Sequence, residues 1–456
     1  MKMIVLGGGP GGYGCAFEAA RLGASVTLIE QEHLGGTCLN RGCVPTKAIL
    51  RSARLLYDAS RGEEFGVSLG MAEPNVDVIR KRKDTIVGEL RGQLEGMARR
   101  LKVEVVSGTG RLVAPHAVEV GGQRYEADAV VLATGSEVFK LPHIDHSQPG
   151  VWTSDDGVAL HEIPAEVLLI GGGVIGLEFA CAYASLGSKV TVVELTPTVL
   201  PGNDKRVTRE VQKALEDLGV VFRLGDAVDG VERAGTRMRS TLRSGEVIES
   251  DIVFSAVGRA PRSEGFGFPE AGIEMDRRAV KVDEHFRTNV PGVYAIGDLI
   301  GGMMLAHVAE EEGVAAARNA VAEARGETPG ASVDYASIPA CVYTFPEVAV
   351  VGSSRDSAKE RGLDVVQAVA KFAGNGKALA EGEAEGFVQI VAEKGSGRIV
   401  GCQIVGPHAV EIVHEVAVAM RNALPVSDLA RSTHAHPTVS EVVRIAAEMA
   451  DEQTRG

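Results

Sequence analysis

The chain has 456 residues, of which 45% are hydrophobic, and a formal net charge of −14 at pH 7. This length is enough for about three domains with ample core. The strongly negative balance argues against a nucleic-acid partner, and no apolar run approaches the ~18 residues of a membrane span. Residues 1–6 lead directly into a strand and lack the regions of a signal peptide, so we expect a soluble, cytoplasmic protein.

The chain begins with a pattern typical of a dinucleotide-binding unit. A predicted strand, a glycine-rich turn, a helix and a second strand follow one another over residues 3–30. Gly7, Gly9 and Gly12 allow the tight turn, the close approach of a pyrophosphate and the contact between helix and strand. Glu30 ends the second strand, where a carboxylate can hold the ribose hydroxyls of an adenosine.

Two cysteines five residues apart follow this unit, in the segment GGTCLNRGCVPTK at residues 35–47. A regular helix would hold them too far apart to bridge, but the glycines allow a tighter bend and Pro45 suits a helix that begins after Cys43. At that helix start the Cys43 thiol should ionise easily. We therefore predict that Cys38 and Cys43 form a redox-active disulfide; the alternatives are a static disulfide or two buried thiols.

The other four cysteines lie scattered in apolar stretches, which is typical of small core residues. Six cysteines are too few for a disulfide framework in a chain of this length. Histidines and cysteines nowhere adopt the spacing of a zinc site, so we predict no metal.

The glycine pattern recurs over residues 167–194, again with a strand, a turn, a helix and a second strand. Gly171, Gly173 and Gly176 occupy the turn, and Glu194 ends the second strand. In both units the acid stands 23 positions after the first glycine. Two such fingerprints are much more specific than one. Because no arginine closely follows Glu194, and a carboxylate would repel the extra phosphate of NADP, the second unit favours NAD.

Three later segments read as buried strands that return towards the nucleotides. Residues 129–132 lead into Ala-Thr-Gly at 133–135, residues 252–257 end at Gly258, and residues 292–297 lead to Asp298. Ligands of open α/β sheets lie at the carboxyl ends of such strands. Asp298 is therefore a candidate contact for the ribityl or phosphate region of a nucleotide, with a helix cap as the alternative.

From about residue 336 the pattern changes to that of an α+β module. Residues 387–391 and 398–405 predict antiparallel strands, and helical spacing follows. Near the end, Pro437 predicts a helix start, with Glu441 about a turn and a half further along. A carboxylate that receives one ring N–H would orient His436 and raise its basicity, as a general base requires. We expect His434 to be structural.

With these segments assembled, the chain resembles the flavin-linked pyridine nucleotide–disulfide oxidoreductases over nearly its whole length. The segments that carry the resemblance are GGGPGG, GGTCLNRGCVPTK, GLE, ATG, VGRAPR, VYAIGD, MLAHVAEEEG, YTFPEVAVVG and HAHPTVSE. The resemblance implies an α/β fold with two Rossmann-like dinucleotide-binding domains and a C-terminal α+β dimerisation domain. The implied domains are an FAD-binding domain at 1–142, an NAD-binding domain at 143–261, a central domain at 262–335 that completes the FAD site, and an interface domain at 336–456.

The resemblance also implies roles for individual residues. Cys38 would exchange with the substrate sulfur and Cys43 would lie beside the flavin, while Lys47 and Glu178 would pair near the reactive flavin nitrogen. His436, oriented by Glu441, would come from the other subunit of a homodimer. The implied FAD contacts are Gly7, Gly9, Gly12, Glu30, Lys47, Gly110, Ala133, Thr134, Gly135, Asp298, Leu305 and Ala306, and the implied NAD contacts are Gly171, Gly173, Gly176, Glu194 and Gly258.

Within the family, the chain is most similar to members that oxidise protein-bound dihydrolipoamide with FAD and NAD. Their partners are the lipoyl-bearing subunits of 2-oxo acid dehydrogenase or glycine cleavage complexes, and this chain lacks an N-terminal lipoyl domain of its own. Phe345 departs from the family, which often has a polar residue there, and this leaves the shape of the substrate entrance open. The alternatives are a reductase of a glutathione-like thiol and a non-catalytic flavoprotein that acts as a docking subunit.

Overall fold

The computed structural model describes residues 1–70 and 72–455. The elements of its first part are β1 (Lys2–Leu6), α1 (Pro10–Arg21), β2 (Ser25–Glu30), α2 (Gly36–Arg41), α3 (Cys43–Ser60), a 3-10 helix (Gly62–Phe65), α4 (Val76–Arg100), β3 (Glu104–Ser107), β4 (Gly110–Ala114), β5 (Ala117–Val120), β6 (Gln123–Glu126), β7 (Ala129–Leu132) and β8 (Ser136–Val138). Strand β1 pairs in parallel with β2 and β7, β2 pairs with β3, and β4 to β6 form a separate antiparallel sheet.

The second part repeats this plan. Its elements are β9 (Val151–Trp152), α5 (Ser154–Ala159), β10 (Glu166–Ile170), α6 (Val174–Ser185), β11 (Lys189–Glu194), α7 (Lys205–Asp217), β12 (Val221–Leu224), β13 (Val228–Ala234), β14 (Arg237–Leu242), β15 (Val247–Ser250), β16 (Ile252–Ser255) and β17 (Arg259–Pro261). The parallel sheet has the strand order β12-β11-β10-β16-β9, β13 to β15 form a separate antiparallel sheet, and β17 pairs with β8 of the first part.

The chain then returns to the first sheet. The elements are β18 (Met275–Asp276), β19 (Ala279–Val280), β20 (Val293–Ala295), a 3-10 helix (Gly297–Ile300) and α8 (Ala306–Ala324). Strand β20 pairs in parallel with β7, which gives the first sheet the order β20-β7-β1-β2-β3. Helix α8 packs against α1 through alanine and glycine, so the two helices approach closely.

The last part is an antiparallel sheet with the order β21-β22-β25-β24-β23, and α11 and α13 pack onto it in one core. The elements are a 3-10 helix (Tyr335–Ser337), β21 (Pro339–Val342), β22 (Glu347–Gly352), α9 (Arg355–Glu360), β23 (Val365–Lys371), a 3-10 helix (Phe372–Gly374), α10 (Gly376–Ala380), β24 (Phe387–Glu393), β25 (Ile399–Gly406), α11 (Ala409–Arg421), α12 (Val426–Arg431) and α13 (Glu441–Arg455). None of the helices described is both long and apolar enough to cross a bilayer.

The burial of the strands explains this architecture. Strands β7 and β16 are buried along their whole length, as strands covered on both faces of a parallel sheet must be. Each lies beside the first strand of its own unit. In each unit the carboxyl ends of these two strands lie at the same edge of the sheet, next to the glycine turn. The predicted fold class, two dinucleotide-type α/β units followed by an α+β region, is confirmed.

One predicted helix start is wrong. Helix α13 begins at Glu441, and the residues after Pro437 form a turn instead of helix. The Asn375 side-chain amide donates to the carbonyl oxygen of Thr438 at 2.9 Å, so this carbonyl accepts a tertiary bond. The Thr438 N–H donates to the Glu441 carboxylate, also at 2.9 Å. Contacts distant in sequence therefore displace the helix start by four residues.

The close approach of α1 and α8 predicts the effect of a single methyl group. A β-carbon at Gly313 would overlap the carbonyl oxygen of Gly11 in the facing helix. We expect Gly313→Ala to lower the free energy of unfolding by about 1–3 kcal/mol, as overpacking does. The matched control is Gly92→Ala on α4, where a β-carbon meets nothing within 4 Å; this change should stabilise by roughly 0.5–1 kcal/mol. Thermal melts of both variants give the comparison, and a neutral Gly313→Ala would contradict the packing argument.

Candidate active site

The two cysteines meet at the junction of α2 and α3. Gly42 makes the bend, and a β-carbon there would lie 2.9 Å from the carbonyl oxygen of Thr37, which explains why the return needs glycine. Both thiols are free in this structure, and they lie close enough for each to change the pKa of the other. The spacing of five residues, unsuited to a regular helix, is therefore accommodated by a break between two helices.

The interaction between the thiols makes them chemically different. The Cys43 thiol, together with burial, raises the pKa of Cys38. The pKa of Cys43 is lowered to about 7, mainly by the Cys38 thiol and to a lesser degree by Lys47. Cys43 is also the first residue of α3, as predicted. The direction of the shift agrees with the prediction, and the partner thiol is its largest cause.

A partly buried ion pair lies beside Cys43. The Lys47 ammonium lies 3.0 and 2.9 Å from the two carboxylate oxygens of Glu178, whose side chain is 5% exposed. The backbone N–H of Tyr343 donates to the same carboxylate at 3.1 Å, and the ammonium sits 4.3 Å from the centre of the Tyr343 ring. The structure thus brings together four predicted site residues from two parts of the chain. Tyr343 joins them without having been predicted.

A cleft of about 390 Å³ opens next to this cluster, between α3, α4 and the end of β21. Its lining residues are Cys43, Val44, Lys47, Ala48, Arg51, Arg82, Ile86 and Tyr343. A reactive thiol therefore faces a space that could admit the end of a chain-like substrate.

The first glycine turn has the shape of a phosphate cradle. Gly7 has φ +111°, and β-carbons at Gly7 and Gly12 would overlap backbone carbonyls, so both positions require glycine. Among the described residues, a β-carbon at Gly9 would meet the Cα of Gly36 at 3.8 Å and nothing nearer, which leaves that side of the backbone open to a close ligand. The Glu30 carboxylate accepts the Gly8 N–H at 2.7 Å and is thereby fixed beside the turn.

The second turn reproduces these features. Gly171 has φ +108°, a β-carbon at Gly176 would overlap the Gly171 carbonyl, and one at Gly173 would meet nothing within 4 Å among the described residues. The buried Glu194 carboxylate accepts the N–H of Gly172 at 2.6 Å and that of Thr196 at 2.8 Å. The backbone thus orients the predicted ribose acid in the same way in both units. Gly258 lies between β16 and β17 with φ +116° and open space beside it.

Asp298 lies in a polar network that the sequence did not reveal. Its carboxylate accepts the hydroxyl of Ser136, and the Arg259 guanidinium donates to that hydroxyl at 2.7 Å and to the Ser136 carbonyl at 2.8 Å. Burial lowers the pKa of Arg259, opposed by the charge of Asp298. The only sequence signal for Arg259 was its place in VGRAPR.

The remaining predicted FAD contacts fall into two groups. Ala133, Thr134 and Gly135 follow β7, and the first two lie against Gly7 of the first glycine turn. Leu305 and Ala306 stand at the start of α8, the helix that contacts Gly297 beside Asp298. Gly110 is different, because a β-carbon there would run into apolar side chains of the core, among them Leu6 and Ile29. Its glycine is therefore explained by packing, and its ligand contact stays a prediction.

His436 and Glu441 form the predicted pair, away from the cysteines. The ring Nδ1 lies 3.0 Å from one Glu441 oxygen, and the other oxygen accepts the Thr438 N–H. These two bonds lower the pKa of the Glu441 carboxyl, which keeps it ionised and able to orient the ring. The His436 side chain is 79% exposed and does not line the cleft beside Cys43. His434, in contrast, is buried against Glu415 at 2.9 Å.

The described residues contain no group of three or more histidine, cysteine or acidic side chains arranged to hold a metal ion.

Two family models match the chain. The model of the pyridine nucleotide-disulphide oxidoreductases matches residues 1–313, and the model of their dimerisation domain matches residues 338–447. The second match includes His436, whose exposed side chain lies in the last part of the fold.

Full-length relatives support the same assignment. Dihydrolipoyl dehydrogenase of Chlamydia muridarum is 39% identical over 96% of this chain and 94% of the relative. Leghemoglobin reductase of Vigna unguiculata is 39% identical over 98% of this chain and 86% of the relative. The crystal structure of LpdA from Mycobacterium tuberculosis has a TM-score of 0.90 at 28% identity, and covers 98% of this chain and 99% of that one.

The lowered pKa of Cys43 predicts how its alkylation depends on pH. In the reduced protein, the rate of Cys43 carbamidomethylation by iodoacetamide should rise with a midpoint near pH 7, because the thiolate is the nucleophile. Cys38→Ala removes the neighbouring thiol and should move the midpoint upward by about one pH unit or more. Peptide mass spectrometry separates Cys43 from the other thiols.

The control is Cys341→Ala, which leaves the pair intact and should leave the Cys43 midpoint unchanged. An unchanged midpoint in Cys38→Ala would show that the partner thiol does not set the ionisation of Cys43.

Proposed function

The chain belongs to the pyridine nucleotide-disulphide oxidoreductase family, and we propose that within it the protein is a dihydrolipoyl dehydrogenase that uses FAD and NAD. The observation that carries this proposal is the thiol pair with its lowered Cys43 pKa, held next to a cleft and to the Lys47–Glu178 ion pair. The proposed reaction converts dihydrolipoamide and NAD⁺ into lipoamide, NADH and a proton.

The thiol chemistry follows from the two cysteines. In the oxidised enzyme a substrate thiolate attacks Cys38 of the Cys38–Cys43 disulfide, which forms a mixed disulfide and releases Cys43 as thiolate. The second substrate thiolate then attacks the mixed disulfide, which closes lipoamide and releases Cys38. Besides the Cys38 thiol, which has no proton while Cys38 is in a disulfide, the charge of Lys47 lowers the pKa of Cys43, and this charge suits Cys43 to the leaving role.

Two cofactor sites fit the backbone. The turn at Gly7, Gly9 and Gly12, with Glu30 and the Asp298 segment, would hold FAD, and the turn at Gly171, Gly173 and Gly176, with Glu194, would hold NAD. The fit is supported by the open side of Gly9 and Gly173, where a phosphate can approach the backbone. When bound, FAD supplies the two-electron relay between the thiol pair and NAD.

Lys47 and Glu178 have a positioning role in this proposal. The carboxylate binds the ammonium and is itself held by the Tyr343 N–H, so Lys47 is fixed at a point close to Cys43. A fixed positive charge at that point stabilises the Cys43 thiolate, in agreement with its contribution to the lowered pKa.

The protein forms a homodimer through its dimerisation domain, which covers residues 338–447. We propose that His436 of each subunit serves the cysteine pair of the other. This proposal is supported by the exposed ring of His436 and by the ionised Glu441 that orients it, since such a ring would accept a proton from a substrate thiol bound at the other subunit. The natural substrate would be a dihydrolipoyl group on a carrier or acyltransferase subunit of a multienzyme complex.

Substrate preference tests the function directly. We expect NAD-linked oxidation of dihydrolipoamide to exceed NADPH-linked reduction of glutathione by at least about 100-fold in kcat/KM. The reason is that Glu194 is buried, fixed by two backbone N–H groups, and would repel a 2′-phosphate. Faster glutathione reduction would make the protein a different reductase, and no turnover with either pair would favour a docking subunit.

His436 has a second, sharper test. His436→Gln should lower kcat for dihydrolipoamide by about 100-fold, the usual contribution of a positioned acid–base group. His414→Gln, at an exposed histidine on α11 of the same part of the fold, is the matched control and should keep full activity.

Mixed dimers then test whether the base acts across the interface. Inactive His436→Gln subunits refolded with an equal amount of inactive Cys43→Ser subunits should regain about a quarter of the wild-type activity, because half of a statistical mixture is heterodimer with one complete site. Recovery of no activity would contradict a shared site.

A further inference from the structure

The mouth of the cleft beside Cys43 carries two arginines without acidic partners. Arg51 on α3 and Arg82 on α4 both line the cleft and are exposed. Across residues 1–70 and 72–455, neither forms an ion pair, and Arg82 makes its one hydrogen bond to the carbonyl oxygen of Ala48 at 3.3 Å. No carboxylate belongs to the described lining of the cleft.

The neighbouring acids are already paired. On these two helices the pairs are Asp58 with Arg54, Asp77 with Arg80 and Asp84 with Lys83. Glu89 is seven residues beyond Arg82, which places it about 10 Å further along the helix. The cleft mouth is therefore a local positive patch on a chain whose net charge is −14. Such a patch attracts anionic groups and raises their rate of encounter.

The positively charged side chains of the cleft are of two kinds, paired and unpaired. Lys47, which is 31% exposed, is paired with Glu178 at 2.9 Å. Arg51 and Arg82 are exposed and have no acidic partner among the described residues. The dihydrolipoyl group, when joined to a lysine by an amide, has no charge of its own. The uncharged arm offers the arginines no ionic partner. An anionic partner must therefore belong to the protein that carries the arm.

We propose, on the basis of the function proposed above, that Arg51 and Arg82 bind carboxylates on the protein surface from which the dihydrolipoyl arm projects. A guanidinium is suited to this because its planar fork matches a carboxylate. The two arginines thus select carriers whose lipoyl-lysine is flanked by acidic residues. The effect falls on kcat/KM and weakens with salt, because exposed charges act mainly on the encounter.

Two synthetic peptides provide the test substrates. Each contains one dihydrolipoyl-lysine, flanked in the first by two aspartates on either side and in the second by asparagines at the same positions. With the wild-type holoenzyme at low ionic strength, kcat/KM for the acidic peptide should exceed that for the neutral peptide by about 5-fold or more. The difference should shrink at 0.5 M salt, where screening is about complete beyond a few ångströms.

The variant Arg51→Gln/Arg82→Gln should abolish the preference, so that kcat/KM for the acidic peptide falls to about that for the neutral peptide. The matched control is Arg100→Gln, an exposed arginine at the other end of α4, which should retain the preference. Equal rates with the two peptides in the wild type, or a preference that survives in the double variant, would overturn the proposal.

Free dihydrolipoate tests whether the arginines bind the carboxylate of a small acid instead of carboxylates on the carrier. It differs from dihydrolipoamide in one carboxylate and has no carrier. If the arginines favoured dihydrolipoate over dihydrolipoamide while the peptides reacted equally, the patch would recognise a small acid and the carrier proposal would be wrong. If dihydrolipoamide itself were not oxidised by the wild type, the proposed function would fail instead, which is a distinct result.

Discussion

The interaction between the neighbouring Cys38 and Cys43 thiols is the one on which the rest of the site depends. It requires the chain to return at Gly42, where a side chain would press on the carbonyl of Thr37. It also gives the two chemically similar thiols different acidities, with Cys43 the more acidic. Lys47, fixed by Glu178 from the second unit, strengthens this difference. In the exchange reaction Cys38 carries no proton while it is part of a disulfide, so the charge of Lys47 is what favours Cys43 as the leaving thiolate.

The two nucleotide units share one structural device. In each, the acid at the end of the second strand is bound by the N–H of the middle glycine of the turn, Gly8 or Gly172. The carboxylate is therefore held in place before any nucleotide arrives, which reduces the ordering cost of binding. Because β20 and β17 return to the first unit after the second one, the two turns and the cysteine pair are joined in one continuous framework. The chemistry of the thiols and of the nucleotides can thus be coupled.

The sequence predicted the features that depend on local pattern. The glycine spacing predicted both turns, and Pro45 with the glycines predicted the helix start at Cys43. It could not predict contacts between distant segments. The network of Ser136, Arg259 and Asp298 spans more than 120 residues, and Tyr343 reaches Lys47 from another sheet. The helix start near Pro437 was predicted wrongly for the same reason, since the Thr438 carbonyl is bound by a side chain from residue 375.

The central claim is that Cys38 and Cys43 interconvert between disulfide and dithiol in exchange with NAD. Peptide mass spectrometry after N-ethylmaleimide labelling of the FAD-loaded protein, with and without NADH under anaerobic conditions, tests it most directly. The account predicts that NADH makes two thiols newly reactive, both within residues 38–43, while the buried Cys15, Cys181 and Cys402 do not change. If labelling of Cys38 and Cys43 were the same with and without NADH, the account would be contradicted.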